Sequence, residues 1–310
     1  MSSTSFEDSS EADTVVEAVS VPTTETPDKP RVTSYNLPLK PIIIIGHSRP
    51  WSPLNLRNLW SYRELLYFLI WRDIKVRYKQ TALGALWAII QPLSMMIIFT
   101  IFFSKLARIP TDGIPSGLFY YSGLSLWMFF SNAVMVGANS LLGNTNLITK
   151  VYFPKLIIPS AAVCAAVVDF AIASLLLLAL LIYYGYGGTF EVLLLLPISL
   201  LITVLALGMG ILFSALNAKY RDVRYVLPFL LQVWMFITPI IYPASVVPKQ
   251  WRWLLALNPL TGIVEAYRAS LFAQRIHWQS LAYSLLFTVM LLSFSAYIFR
   301  RMEKSFAEVL

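Results

Sequence analysis

Beyond about residue 80 the chain runs for long distances without a charge. Residues 80–104, 113–149, 192–218, 225–248 and 276–299 contain no Asp, Glu, Lys or Arg, and each exceeds the roughly 20 residues that an apolar helix needs to cross a bilayer. Residues 156–184 are equally apolar and carry one charge, Asp169. The pattern predicts an all-α integral membrane protein with six transmembrane helices, at about residues 82–104, 117–137, 156–184, 192–216, 226–243 and 279–299. Function has to be sought inside a membrane.

The segments between these runs predict smaller elements. Residues 59–79 hold neither Pro nor Gly and read as a helix, with Glu64, Arg72, Lys75 and Lys79 on one arc and Leu65, Leu66, Leu69, Ile70, Ile74 and Val76 opposite. Arg63, Asp73 and Arg77 intrude on the apolar arc, Asp73 and Arg77 at the i,i+4 spacing that permits pairing. Two readings fit: a soluble-type helix against a cytoplasmic domain, or an interfacial amphipathic helix with Trp60, Tyr62, Tyr67, Phe68, Trp71 and Tyr78 at headgroup level. The neighbouring membrane span favours the second. Residues 138–154 suggest a short helix exposed to the cytoplasm, a handle for another protein. Residues 217–225 form a compact basic loop. Residues 243–277 carry helical periodicity broken at Pro259, which predicts two short helices dipping into the outer membrane surface.

Charge orders these parts. Residues 1–31 hold seven acids against Lys29 and Arg31, whereas the rest of the chain holds 22 basic and nine acidic residues. The acidic head is poor in bulky apolar residues, cannot offset its ordering entropy and is expected to be disordered; with the Pro-punctuated linker it takes up residues 1–50, ahead of a membrane domain over 51–310. The head has neither the basic start nor the apolar stretch of a signal peptide. In the linker, Ile42–Ile45 is too short to span and suits a strand or a surface anchor. With six spans and an inner N-terminus, basic residues concentrate in the inner segments, which puts both termini in the cytoplasm. That placement also explains the net charge of +8 without invoking nucleic acid.

Some chemistry is missing. Cys164 is the single cysteine, and His47 and His277 lie far apart, so neither a disulfide framework nor a metal motif is visible. No GxxxxGK[ST] loop occurs to cradle nucleotide phosphates. If ATP drives a process here, another chain hydrolyses it.

Within the spans, Gln91-Pro92 predicts a kink, either merely tolerated or shaping a wall beside a pathway. Asp169 costs roughly 2.5–3.5 kcal/mol at mid-bilayer unless sheltered, so it is expected to face protein or water, through a structural hydrogen bond or a transport role. Tyr and Trp at span ends suit interface belts. Phe129, Phe130, Phe229, Trp234 and Phe236 lie deeper, where aromatic faces are platforms for the apolar faces of sugar rings, by analogy with sequence-tolerant base stacking.

Four ordered blocks carry a family resemblance: RDIKVRYKQTALGALWAIIQP from Arg72, NLITKVYFPKLIIP from Asn146, RDVRYVLPFLLQVWMFITPIIYP from Arg221 and NPLTGIVEAYRASL from Asn258. In register from about residue 51 to the C-terminus, the chain resembles the permease subunits of type-2 ABC exporters for O-antigen, capsule and teichoic-acid polysaccharides. The resemblance implies a homodimer in the bacterial inner membrane that recruits two copies of a separate ATP-binding subunit, which binds ATP and Mg, and exports a lipid-linked glycan. It further implies that Asn144, Asn146, Leu147, Lys150, Val151 and Tyr152 form a coupling helix on that ATPase, with Arg221, Asp222 and Arg224 in a second contact. Arg72, Lys75, Arg77 and Lys79 would edge the substrate entrance, a cluster that simple positive-inside anchoring explains equally well. Gln91, Phe229, Trp234 and Phe236 would line the channel, and Trp251, Trp253, Tyr267 and Arg268 would belong to an outer gate.

Two rivals come from other classes. An ion-coupled secondary transporter requires broken-helix repeats and paired intramembrane charges, and Asp169 stands almost alone. A membrane glycosyltransferase requires paired acids or an acid with a metal, yet Asp73, Asp222 and Glu265 each sit beside or within a turn of an Arg, which favours salt bridging. Neither rival explains the four blocks. An ABC-2 permease for a non-polysaccharide substrate remains the nearer alternative.

Overall fold

The computed structural model describes residues 60–79, 84–186, 190–303 and 306. The expected acidic head and linker, residues 1–50, and the apolar patch at 42–45 lie outside them. The described residues are helical, with no strand among them. In chain order the α-helices are α1 (Arg63–Lys79), α2 (Trp87–Phe99), α3 (Ser116–Gly143), α4 (Thr145–Lys150), α5 (Ile157–Tyr183), α6 (Leu195–Lys219), α7 (Val223–Ile237), α8 (Arg252–Leu257), α9 (Pro259–Phe272) and α10 (Trp278–Glu303).

Five helical stretches among the described residues are long and apolar enough to cross a membrane: Gly84–Leu106, Ser116–Gly143, Ile157–Tyr183, Glu191–Lys219 and Trp278–Glu303. The first runs from a 3-10 turn through α2 and Pro92, and ends in wider π turns over Thr100–Leu106. The expected fifth span, 226–243, is where sequence and structure part. Its helix α7 holds 15 residues, about 22 Å at 1.5 Å per residue, against a hydrocarbon core of about 30 Å. Pro239 is the physical reason, because the residue before a proline is driven out of the α region; Thr238 has ψ 137°, and the helix stops at Ile237.

The chain then turns back. Asn258 caps α9 by accepting a hydrogen bond from the Leu260 amide at 3.0 Å, with Pro259 in the first turn, the pairing that starts helices well. Two short helices broken at Pro259 are expected here, and α8 and α9 divide at that proline, with 13 of the 14 residues of α9 buried within the chain. Its residues are apolar or small on nearly every side, and such a helix belongs in a core.

That core forms around α3, which packs on α5 and α6, while α6 packs on α10 and α9 on α10. Close approach rests on small residues, as is usual where lipid gives no hydrophobic drive between helices. A Cβ on Gly137 of α3 would lie 3.0 Å from the Cα of Gly210 in α6 and 3.0 Å from Val163 Cγ2 in α5. The main cluster includes Phe119, Tyr120, Tyr121, Phe130, Leu205 and Tyr267. A second cluster gathers Leu69 of α1, Leu141, Ile148, Phe153, Ala218, Phe299 and Phe306 at one end of the bundle.

Candidate functional site: the cluster end, α1 and the open helix faces

The second cluster is the base of two exposed patches. Asn144 turns the chain out of α3: its amide side chain donates to Ser140 O at 2.8 Å, and its carbonyl accepts from the amides of Leu147 and Ile148. In α4 and the segment after it, Ile148 and Phe153 point inward, each 5% exposed, while Tyr152 is 88% exposed. Asn146, Lys150 and Val151 are exposed beside Tyr152, and Asn144 and Leu147 are half-buried. Of the six residues grouped there from sequence, four thus form a surface and two build the turn that presents it.

The second patch rises from the same end. Asn217, near the end of α6, donates to Ala138 O at 3.0 Å and Asn139 Oδ1 at 3.1 Å in α3. Ala218 shares the buried cluster with Ile148 and Phe153. Arg221, Asp222 and Arg224 follow, all exposed, flanked by exposed Tyr220 and Tyr225. The C-terminal end of α10 joins this base: Glu303 Oε1 accepts from the Lys155 amide at 3.1 Å, and Lys155 Nζ donates to Glu303 O at 3.4 Å.

Along α1 the charges divide. Tyr62, Leu65, Leu66 and Ile70 pack with buried Leu69 against the second cluster, whereas Trp60, Tyr67, Phe68 and Trp71 are exposed. Asp73 pairs with Arg72 at 2.8 Å, not with Arg77 as the i,i+4 spacing suggested. Arg77 instead meets Asp169 in the middle of α5, and the Tyr78 hydroxyl donates to the same carboxylate. The two residues that looked out of place, a cation in an apolar arc and a lone acid in a span, are each other's partner. Burial and then the hydrogen bond to Asp169 push the Tyr78 hydroxyl up to about 12, so it remains a donor at neutral pH. Lys75 and Lys79 have no ion-pair partner among the described residues. They flank a groove of about 300 Å³ with Trp71, Ile74 and Tyr78. Of the four basic residues expected at an entrance, two therefore line a groove and two are held in ion pairs.

The aromatic residues expected in a channel also divide. Phe229 and Phe236 are 65% and 55% exposed on α7, and Gln91 is exposed on α2. Trp234 turns inward, where its indole N–H donates to Asn258 Oδ1 at 3.0 Å and its ring meets Phe130 edge-on. A partly buried indole needs an acceptor, and Asn258 supplies it. Of the four residues expected at an outer gate, Trp251 and Trp253 are exposed, but Tyr267 and Arg268 are buried at 2% and 6%, so these four share no common surface. The sequence reading missed Asn258, although Asn followed by Pro before an apolar run is a legible helix start. It also missed Glu303 and Phe306, for which no local pattern gives a signal.

These features define a polytopic helical membrane protein with an exposed end and two poorly covered helix faces. The chain belongs to the ABC-2 type transporter family, whose pattern matches residues 64–272. It is 30% identical over 256 residues to the O-antigen export system permease protein RfbA of Myxococcus xanthus, covering 82% of this chain and 98% of that one. It is 28% identical over 254 residues to RfbA of Klebsiella pneumoniae, covering 82% and 97%. The polysialic acid transport protein KpsM of Escherichia coli is 27% identical over 241 residues, covering 76% and 93%. The sequence resemblance to this family therefore holds.

Proposed function

We propose that this chain is the membrane permease of an ATP-driven exporter that moves a lipid-linked polysaccharide, O-antigen or capsule-like, across a bacterial inner membrane. It works as a homodimer with two separate ATP-binding subunits that hold ATP and Mg, and both termini lie in the cytoplasm. α7 with the re-entrant α8 and α9 makes the fifth of six crossings. The observation that carries the reading is the α4 segment: Tyr152 stands 88% exposed on a base in which Ile148 and Phe153 are each 5% exposed. A rigid root and a bare tip suit a helix that transmits a partner's movement.

Asn146, Lys150, Val151 and Tyr152, with Arg221, Asp222 and Arg224, receive the ATPase. ATP binding favours one state of that partner, and the permease follows because the two states bind it unequally. The glycan's anionic lipid headgroup enters at the Lys75 and Lys79 groove, where two ammonium groups make charge-assisted hydrogen bonds to diphosphate oxygens and Trp71 sits at headgroup level. Gln91, Phe229 and Phe236 line the path, and Trp251 and Trp253 stand at its outer mouth. The permease makes and breaks no covalent bond.

The test is ATP hydrolysis by the chain reconstituted with its candidate ATP-binding subunit, with and without lipid-linked glycan. Hydrolysis that requires both chains and rises with glycan is expected. A chain that binds no ATPase and moves solute only under an ion gradient contradicts the proposal.

A further inference from the structure

Arg268 lies in α9, 6% exposed, and has no carboxylate at ion-pair distance among the described residues. Its guanidinium is spread over main chain from two other elements. One terminal nitrogen donates to Pro239 O at 2.7 Å; the other donates to Ile240 O at 2.7 Å and to Phe119 O at 3.2 Å. Nε reaches Ser122 Oγ at 3.5 Å, and Cζ sits over the Phe119 ring, 3.7 Å from its centre. α3 is notched to receive it. A Cβ on Gly123 would fall 2.5 Å from the guanidinium nitrogen and 3.2 Å from Ile240 O.

Pro239 and Ile240 belong to the break that ends α7. Irregular backbone at membrane depth is tolerated only where its polar groups are satisfied, and here side chains do this from several directions. Besides Arg268, Tyr242 donates to Phe236 O at 3.1 Å, and the Thr238 hydroxyl donates to Trp234 O at 2.9 Å while accepting from Asn258 Nδ2 at 2.9 Å. The rest of α7 is different. Leu227 and Leu231 are its buried residues, while Tyr225, Phe229 and Phe236 are more than half exposed. A helix tied firmly at one end and barely packed along its length swings about the tied end.

We propose that Arg268 is a positioning residue that makes the break after α7 a fixed pivot. The end of α7 near Arg224 moves with the ATPase, while the end at Thr238 stays against α3 and α9. This rests on the reading of α7 as a channel wall. The planar fork explains the residue type: a lysine ammonium cannot hold carbonyls on two elements in one plane and stack on Phe119 as well.

The test compares the wild-type complex in vesicles with Arg268→Gln, Arg268→Lys and Gly123→Ala, the last of which displaces the guanidinium but keeps its charge. Glycan exported per ATP hydrolysed is expected to fall at least tenfold in Arg268→Gln and Gly123→Ala, and less in Arg268→Lys, with complexes that still assemble and hydrolyse ATP. Unchanged export per ATP in the first two overturns the pivot while leaving the export reading intact. A wild-type complex that neither hydrolyses nor exports overturns both.

A second measurement keeps Arg268 and so does not depend on variants that fold. In a Cys164→Ala chain diluted with unlabelled copies, spin labels are placed at Tyr225→Cys with Tyr297→Cys, and at Val246→Cys with Tyr183→Cys. The first distance is expected to shift between nucleotide states while the second stays fixed. Equal shifts at both ends overturn the proposal.

Discussion

The spans Gly84–Leu106 and Ser116–Gly143 are both apolar enough to cross the membrane, yet the first buries one residue within the chain, Pro92, against 18 of the 28 residues of the second. Ser116–Gly143 packs on α5 and α6 through Gly137 and a run of Phe, Tyr and Leu. Gly84–Leu106 leaves Trp87, Ile97, Ile101 and Phe102 about half exposed. Lipid and protein interior are both apolar solvents, so each span passes as membrane-crossing, although the bare one is the more apolar of the two. One span builds the scaffold, and the other leaves its apolar face uncovered within the chain. α7 follows the first pattern along its length and the second at its C-terminal end.

The comparison is broken most directly at the scaffold. Gly137→Leu drives a side chain into Gly210 and Val163, where the Cβ alone would sit at 3.0 Å; overpacking of this kind costs about 1–3 kcal/mol or more. Loss of folded protein on size-exclusion chromatography is expected, whereas Ile97→Leu on the bare span leaves the profile unchanged. Equal effects at the two sites contradict the division.

Next in size is the exposed end. Lys150→Ala with Tyr152→Ala removes side chains that support nothing buried, so melting in detergent stays within about 0.5 kcal/mol of the parent, the usual range for surface changes. ATP-driven export falls tenfold or more. Normal export by this variant removes the coupling assignment.

A smaller effect tests the tie between α1 and α5. Asp169→Asn leaves Arg77 without its carboxylate, at a cost of about 2 kcal/mol for a pair that is only partly shielded. The exchange Arg77→Asp with Asp169→Arg recovers part of that loss, read as thermal melting. An exchange no better than the single change contradicts the pair. The smallest effect is expected at Ile101→Ala on the bare span, within about 0.5 kcal/mol in the isolated chain, with self-association weakened in a dilution series. A loss of thermal stability as large as that of Asp169→Asn contradicts the bare-face reading.

Much of this was legible in the residues. Four charge-free runs and the run interrupted only by Asp169 located the five long spans to within a few residues at most ends, because a bilayer demands a minimum apolar length. The Asn, Thr and Gly content before Pro154 marked α4. The charge that interrupts the α1 stripe and the lone acid in α5 were both visible, but pairing them requires knowing that the two helices lie side by side. α7 was overrun because a hydropathy window ignores Pro239, the residue that ends the helix. The burial of α9 within the chain was not legible, because amphipathic and all-round apolar patterns look alike over 14 residues. Arg268 read as an outer charge, since its acceptors are main-chain carbonyls, which leave no trace in sequence.

The most direct measurement is cysteine cross-linking in native membranes, in a Cys164→Ala background, with single cysteines at Ile98 and Gln91 on the bare span and at Ala133 and Val134 in the buried one. The account predicts cross-linked dimers from the bare-span positions and none from the buried pair. Cross-links absent at Ile98 and Gln91, with both cysteines labelled freely by a lipid-soluble thiol reagent, would mean that this face meets lipid alone and would contradict it.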